Sequence, residues 1–254
     1  PRQPVAEIME RDLVAFTPED RASKAGAAFE RYDLITAPVL DSRDRLLGRV
    51  TVDVIMQFIR EEAEEDLLNR EGLRGDEDLF GPVVESARGR WLWLFINLLT
   101  AFLASRVIGV FEGTIEQLVA LATLMPIVAS IGGNTGNQTI ALVVRGLALD
   151  QITKDNVRYL ATKELGVAAI NGVIWGTVMG IVAWGLYQNQ TLGFVMGIAT
   201  LLNLLVAAAV GIGVPLGMRR AGRDPALGSS VVLTFVTDGM GFFIFLGLAT
   251  LLLV

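Results

Sequence analysis

The distribution of hydrophobic positions divides the chain near residue 90. Charged residues are frequent before that point, whereas the remainder contains long stretches with almost no charge. A membrane-spanning helix needs about 20 mostly apolar residues. Backbone polar groups cannot stay unpaired in lipid, so spanning segments of this length must be helices. The pattern therefore predicts five transmembrane helices, which fall within residues 91–110, 117–144, 165–186, 191–218 and 225–254.

The basic residues of this half lie in alternate connections. They precede the first predicted span, separate the second from the third, and separate the fourth from the fifth. Cationic loops stay in the cytosol. The N-terminus is therefore predicted to be cytosolic and the C-terminus extracytoplasmic. The basic residues are Arg88, Arg90, Lys154, Arg158, Lys163, Arg219, Arg220 and Arg223.

Residues 1–60 have the pattern of a small α/β unit. Short strands are predicted at 13–16, 35–40 and 46–50, and helices at 22–32 and from 53 towards 66. Sixty residues form a marginal core, so we expect this unit to pair with another copy. The predicted fold class is mainly α: the α/β unit (1–60), an acidic connecting helix (61–89) and a five-helix membrane domain (90–254).

The connecting segment is strongly acidic. Between positions 61 and 78 there are nine carboxylates and two cations. A charge run of this kind is usually a solvated helix. Because this one joins the α/β unit to the membrane domain, it could also be a regulatory segment whose packing changes when a divalent cation screens it. Both interpretations remain open at this stage.

Composition limits the chemistry that the chain can support. It contains no cysteine and no histidine, so any metal must be bound by oxygen ligands, which suit magnesium, calcium or manganese. The lack of histidine also argues against an intramembrane enzyme. A net charge of −6 argues weakly against nucleic-acid partners. Membrane lipid and divalent metal ions are the partners that the sequence favours.

One carboxylate, Asp238, lies deep in the last apolar segment. Such a group costs about 2.5–3.5 kcal/mol at the bilayer centre and is usually functional. Arg106 and Arg145, near the ends of their spans, could pair with it only awkwardly. We therefore favour a role for Asp238 in an ion pathway. A divalent cation/proton antiporter that uses Asp238 is the alternative to a channel.

The second predicted span contains an unusual polar segment. Pro126 is followed by glycines, amides and hydroxyls over 132–139, which indicates a broken helix that lines a cavity. Simple helix packing through Gly132 and Gly136 is the alternative. Close helix packing is also predicted for two further sets of small residues, namely Gly172, Gly176 and Gly180, and Gly213 with Gly217.

Neutral amides and one carboxylate suit a particular kind of pore. Magnesium gives up its water reluctantly, so a pore that accepted it hydrated would offer hydrogen-bond acceptors and modest negative charge. A symmetric dimer would double Asp238 around a central axis and form a divalent-selective ring.

These residues resemble the MgtE family of magnesium channels. The resemblance rests on residues 126–138, on the segment Asp224 to Leu227 with the Thr237-Asp238 pair that follows it, and on the openings of the first and third spans at 90–92 and 163–166. The N-terminal unit resembles the second of the two CBS repeats that these channels carry.

The resemblance implies a homodimeric magnesium channel of the bacterial cytoplasmic membrane, with a pore lined mainly by the second and fifth helices. Asp238 matches the selectivity carboxylate and Asn134 an amide of the conductive path; Asn137 and Thr234 are further candidate ligands. Cytosolic magnesium would also regulate the channel. It would bind between the CBS dimer, the connecting helix and the membrane domain, and this binding would close the channel. The regulatory residues implied are Glu62, Glu65, Asp66 and Asp224.

The sequence departs from the channel-family pattern at Ser230-Val231 and Thr234, and from the nucleotide-binding CBS pattern at Val54. Ser230-Val231 stands where the family often has Asn-Pro, and Thr234 stands where it has alanine, so the pore near Asp238 could differ in its preference among divalent ions. In CBS repeats that bind adenosine nucleotides, an aspartate follows the Thr by three residues. That position is Val54 here, which argues against ATP binding.

Overall fold

The computed structural model describes residues 4, 13–20, 22–70, 72–73, 79–149, 151–153, 155–225 and 228–254. The chain forms two compact units, Pro1–Leu67 and Leu68–Val254. The secondary structure of the described residues is mostly helical with one small sheet, as the sequence predicts. The elements are α1 (Ala22–Arg31), β1 (Thr36–Leu40), β2 (Leu46–Thr51), α2 (Val52–Arg70), α3 (Val83–Val110), α4 (Glu112–Gln117), α5 (Ala120–Ala148), α6 (Val157–Tyr187), α7 (Gln190–Arg220) and α8 (Ser229–Leu253).

In the first unit, β1 and β2 form an antiparallel pair in which Thr36 lies opposite Thr51. Helices α1 and α2 cover it, and the ring centroids of Phe16 and Phe29 stack 6.1 Å apart in the core. The predicted strand at 13–16 is largely absent: only Phe16 bridges, to Val39, while 13–15 are irregular. An isolated bridge suffices because Phe16 is the one fully buried residue of this segment, while Val14 packs against the same cluster without pairing as a strand.

In the second unit, α7 packs against α5, α6 and α8, and it contains 13 buried residues, as many as α5. Its apolar side chains pack with those of α5 and α8 in a continuous cluster, while α6 packs chiefly on α7 and α3 on α8. The predicted turn between the third and fourth spans is confirmed. Gln188 adopts the left-handed conformation, and the Asn189 side chain accepts a hydrogen bond from the Leu192 amide over 3.0 Å to cap α7.

Four of these helices, α3, α6, α7 and α8, are long and apolar enough to cross a membrane. The chain is therefore a membrane protein. Helix α5 has 29 residues, which is sufficient length, but it carries the polar segment 132–139 and is less apolar than the others. The described residues of the second unit thus contain five long helices, and α5, which corresponds to the second predicted span, is the one that length and composition alone do not identify as a span.

The predicted break in the second span is wrong, because α5 is continuous from Ala120 to Ala148. Pro126 removes a single backbone donor, and the glycines stay helical. They serve close packing instead: a Cβ at Gly132 would lie 2.3 Å from Asn203 Nδ2, and one at Gly136 would lie 2.3 Å from Leu233 Cδ1. The packing alternative is therefore the correct one.

The two other predictions of helix packing through glycines have different outcomes. Helices α6 and α7 touch through their backbones, since a Cβ at Gly176 would lie 2.6 Å from the Gly197 carbonyl oxygen and one at Gly180 would lie 2.7 Å from that of Gly193. Packing at Gly172, Gly176 and Gly180 is thus confirmed. Gly213 and Gly217 have no described atom within 4 Å of such a Cβ. Both glycines are exposed, so the described residues show no close packing partner for them.

Candidate functional site

Asp238 lies well inside α8. It follows the first residue, Ser229, by nine positions, which places it about 14 Å along the helix at 1.5 Å per residue. It is half-buried. No described residue forms a hydrogen bond or an ion pair with its carboxylate, and Arg106 and Arg145 are both exposed. The described part of the chain thus supplies no cation that would explain Asp238 as a structural pair.

The amides of α5 share one face of that helix. Asn134, Asn137 and Gln138 are all exposed, and their spacing of three and four residues aligns them. Asn134 stands at the midpoint of α5. The opposite face, which includes Gly132, Gly136 and Thr139, is buried against α7 and α8. The packing of the glycine face therefore fixes the direction in which the amide face points.

Helices α5 and α8 meet at the level of the predicted pathway residues. A Cβ at Gly133, next to Asn134, would lie 3.9 Å from the Oγ1 atom of Thr237, next to Asp238. The Thr237 side chain is fully buried, and its hydroxyl donates to the Leu233 carbonyl over 3.0 Å. The two positions that the sequence singled out most strongly are thus carried by helices in direct contact at neighbouring residues.

Thr234 precedes Asp238 by one helical turn and is exposed. Its hydroxyl donates a hydrogen bond to the Ser230 carbonyl oxygen over 2.9 Å. Because that donation uses the only proton of the hydroxyl, the Thr234 oxygen is left as an acceptor towards the surface. A water or cation hydration shell near Asp238 would meet an acceptor at this position.

The five acidic residues between positions 61 and 66 lie on α2, which extends through Arg70. Glu62, Glu65 and Asp66 are spaced by three and four positions and so occupy one face of the helix. Glu65 is exposed, and the side chains of Glu62 and Asp66 lie outside the described residues. Asp224 belongs to the second unit, where it is half-buried in the turn after α7.

Among the buried polar residues that were not predicted as site residues, Asn203 and Glu164 have the largest side chains. Asn203 on α7 is fully buried, and its Nδ2 donates to the Val128 carbonyl oxygen over 2.8 Å. Glu164 on α6 is 5% exposed. Asn203 is a polar residue inside a long uncharged run, which is the signal that could have identified it, whereas Glu164 follows Lys163 at the start of its span and gives no such signal. Over the described ranges, no three Asp, Glu, His or Cys side chains gather into a metal-binding group.

Comparison with known proteins agrees with this architecture. Residues 125–248 match the model of the MgtE divalent cation transporter family, and residues 5–61 match the CBS domain. The chain is 35% identical over its whole length to the magnesium transporter MgtE of Thermus thermophilus, of which it covers 56%. It is 29% identical over 98% of its length to the magnesium transporter MgtE of Bacillus subtilis, of which it covers 55%. The chain thus spans about half the length of the relatives that it matches.

Proposed function

Because the chain belongs to the MgtE family of divalent cation transporters, we propose that it conducts Mg²⁺ across the cytoplasmic membrane past Asp238 and Asn134. The observation that carries the proposal is the isolation of Asp238. A carboxylate inside a spanning helix is costly, and no described residue of this chain neutralises it. A passing cation, with its water, would supply the missing positive charge.

The ligand set favours a hydrated ion over a dehydrated one. One carboxylate, the exposed amides Asn134 and Asn137 and the Thr234 hydroxyl are too few to replace the six waters that octahedral Mg²⁺ holds. They suit contacts to bound water, because amide, hydroxyl and carboxylate oxygens all accept hydrogen bonds. Mg²⁺ would then be attracted by charge and oriented through its hydration shell.

This proposal counts α5 as a span in addition to α3, α6, α7 and α8. Its amide face would be unfavourable in lipid, and it is favourable only beside water or protein. A water-filled pathway along Asn134, Asn137 and Gln138 resolves the conflict between the length of α5 and its polarity. With five spans, the cytosolic basic connections place the N-terminus inside and the C-terminus outside.

A homodimer would complete the pathway. In one chain the amide face of α5 and the Asp238 position of α8 remain partly exposed. A two-fold axis beside them would bring two copies of each into one pore, and two carboxylates would attract a divalent ion more strongly than one. Cross-linking in native membranes tests this stoichiometry directly, since a monomeric pore would contain every pathway residue once.

Regulation by cytosolic Mg²⁺ forms the second part of the proposal. The shared face of Glu62, Glu65 and Asp66 on α2 concentrates like charges that repel one another. A bound divalent cation would relieve that repulsion, and we propose that this binding lowers Mg²⁺ flux, with Asp224 as a further acidic residue of the response. Replacing the three α2 residues by their amides should keep flux high at raised internal Mg²⁺. An unchanged Mg²⁺ response would exclude regulation there.

The transport proposal is tested by growth of a bacterium deficient in Mg²⁺ uptake. The chain should restore growth at low Mg²⁺, and the Asp238→Ala variant, expressed to the same level in the membrane, should not. Equal rescue by both would exclude a pore role for Asp238. The antiporter alternative is separated by flux into liposomes, since an antiporter, unlike a channel, would respond to an imposed pH gradient.

A further inference from the structure

Asn203 of α7 stands where three helices meet. A Cβ added at Gly132 of α5 would lie 2.3 Å from its Nδ2 atom, and one added at Gly241 of α8 would lie 2.8 Å from the same atom. Its side chain is fully buried. Both contact points therefore accept the amide only because they are glycines, and the Asn203 side chain fills the space between α5 and α8.

The hydrogen bonding of Asn203 is one-sided. Nδ2 donates to the Val128 carbonyl oxygen of α5 over 2.8 Å. Oδ1 is buried and has no hydrogen-bond partner among the residues that the structure describes. Leaving a buried acceptor unpaired costs free energy that offsets the bond made by the donor. Asn203 therefore contributes little net stability. An apolar residue would also suit these apolar surroundings, so stability does not explain why an amide stands here.

The two helices that Asn203 holds are the helices of the proposed pathway. Gly132 precedes Asn134 by two residues, and Gly241 follows Asp238 by three. Residues that break a local rule of stability tend to be those that serve function. We infer that Asn203 is a positioning residue: its amide, anchored to the Val128 carbonyl and wedged between two glycines, sets the separation of α5 and α8 and so of Asn134 and Asp238.

This inference rests on the proposed function for its transport consequence, but its geometric content can be measured independently. The chain has no cysteine, so a pair introduced as Gly133→Cys and Thr237→Cys would be its only thiols. The rate at which that pair forms a disulfide under a membrane-permeant oxidant reports the approach of α5 to α8. The contact at 3.9 Å between these positions predicts rapid formation when Asn203 is intact.

Asn203→Leu is the decisive variant, because it keeps the number of side-chain heavy atoms and the branch at Cγ and removes both polar atoms. We expect its thermal unfolding to match that of the parent, its disulfide to form several-fold more slowly, and its Mg²⁺ flux to fall between about 10- and 100-fold, as small misplacements of functional groups do. The matched control is Thr200→Val, one turn earlier on α7. Thr200 is also fully buried, but its hydroxyl bonds only within α7, to Met196, so cross-linking and flux should not change.

A paired substitution separates positioning from packing. Gly132→Ala alone should unfold more easily, since its Cβ collides with the amide. Adding Asn203→Ala removes the collision and should restore the unfolding temperature, while flux stays low because the anchor is gone. The inference is overturned if Asn203→Leu cross-links and transports like the parent, or if its flux falls only in proportion to a loss of folded protein. If Asn203→Leu cross-links more slowly than the parent but the parent itself does not transport Mg²⁺, the proposed function is overturned and the positioning role stands.

Discussion

Thr139 of α5 and Glu164 of α6 face each other inside the second unit, with 3.4 Å between the hydroxyl Oγ1 and the carboxylate Oε2. The other carboxylate oxygen lies 3.1 Å from Nζ of Lys163, whose side chain is half exposed. Helices α5 and α6 have few other contacts. This polar contact is therefore a main point at which the third predicted span touches the amide-bearing helix.

Removal of Lys163 should destabilise the helical unit. Lys163→Ala would leave the buried Glu164 carboxylate without its cation, and we expect unfolding to become easier by about 1–3 kcal/mol. Glu164→Gln should cost less, because a neutral amide oxygen can still accept from Thr139 and no buried charge remains. Thermal unfolding of the purified chain in detergent measures both.

The control for that comparison is Lys163→Arg, which keeps the positive charge and should unfold near the parent. A larger loss for Glu164→Gln than for Lys163→Ala would show that the carboxylate matters for its charge and not as an acceptor for Thr139.

The α6–α7 contact should be intolerant of a single methyl group at Gly176. Its Cβ would lie 2.6 Å from the Gly197 carbonyl oxygen, a backbone atom that cannot rotate away. Gly176→Ala should cost about 1–3 kcal/mol as the helices separate. Gly185→Ala on the same helix is the matched control, since no described atom lies within 4 Å of its Cβ. Equal unfolding temperatures for the two variants would contradict the close approach.

The β1–β2 turn of the first unit should weaken in acid. The backbone N–H of Arg45 donates to Asp41 Oδ1 and, with smaller contributions from Arg43 and the Arg45 side chain, holds the pKa of the Asp41 carboxyl below its ordinary value. A carboxyl with a lowered folded-state pKa stabilises the fold above its unfolded pKa of 3.8, and that contribution is lost as pH falls through the folded pKa.

Asp41→Ala should therefore open the turn more readily than the parent near neutral pH, and the difference should vanish in strong acid. Hydrogen exchange of peptides covering residues 36–51, compared between the two proteins at each pH, measures the effect. Asp44→Asn is the control, since no described hydrogen bond from Arg43 or Arg45 reaches the Asp44 side chain and asparagine tolerates the positive φ of 56° at this position. A difference that persisted unchanged into strong acid would exclude the carboxylate as its cause.

Much of the fold follows from sequence because its causes are local. Uncharged runs of helical length predict α3, α6, α7 and α8, and Asn189 caps α7 at the predicted turn. Strand 13–16 was wrong because one buried side chain, Phe16, was enough to anchor an otherwise irregular segment.

The residue types of the candidate site could be predicted from the sequence, but the packing of the helices that carry them could not. Asp238 stands out because a carboxylate is costly in an apolar segment. The continuity of α5 could not be predicted, since glycines look alike whether they break a helix or admit Asn203 and Leu233. The residue that packs against a glycine of α5 comes from a helix about seventy positions away along the chain, as the Asn203–Val128 hydrogen bond shows. Periodicity within one segment carries no information about such a distant partner.

The central claim is that the Asp238 carboxylate attracts the transported ion. The most direct measurement is Mg²⁺ flux into liposomes containing the purified chain or its Asp238→Asn variant, which keeps the shape of the side chain and removes its charge. We predict that flux falls about tenfold or more, since about 1.4 kcal/mol of lost attraction is sufficient, while Glu116→Gln, an exposed carboxylate of α4, transports like the parent. Undiminished Mg²⁺ flux through folded Asp238→Asn would contradict the account.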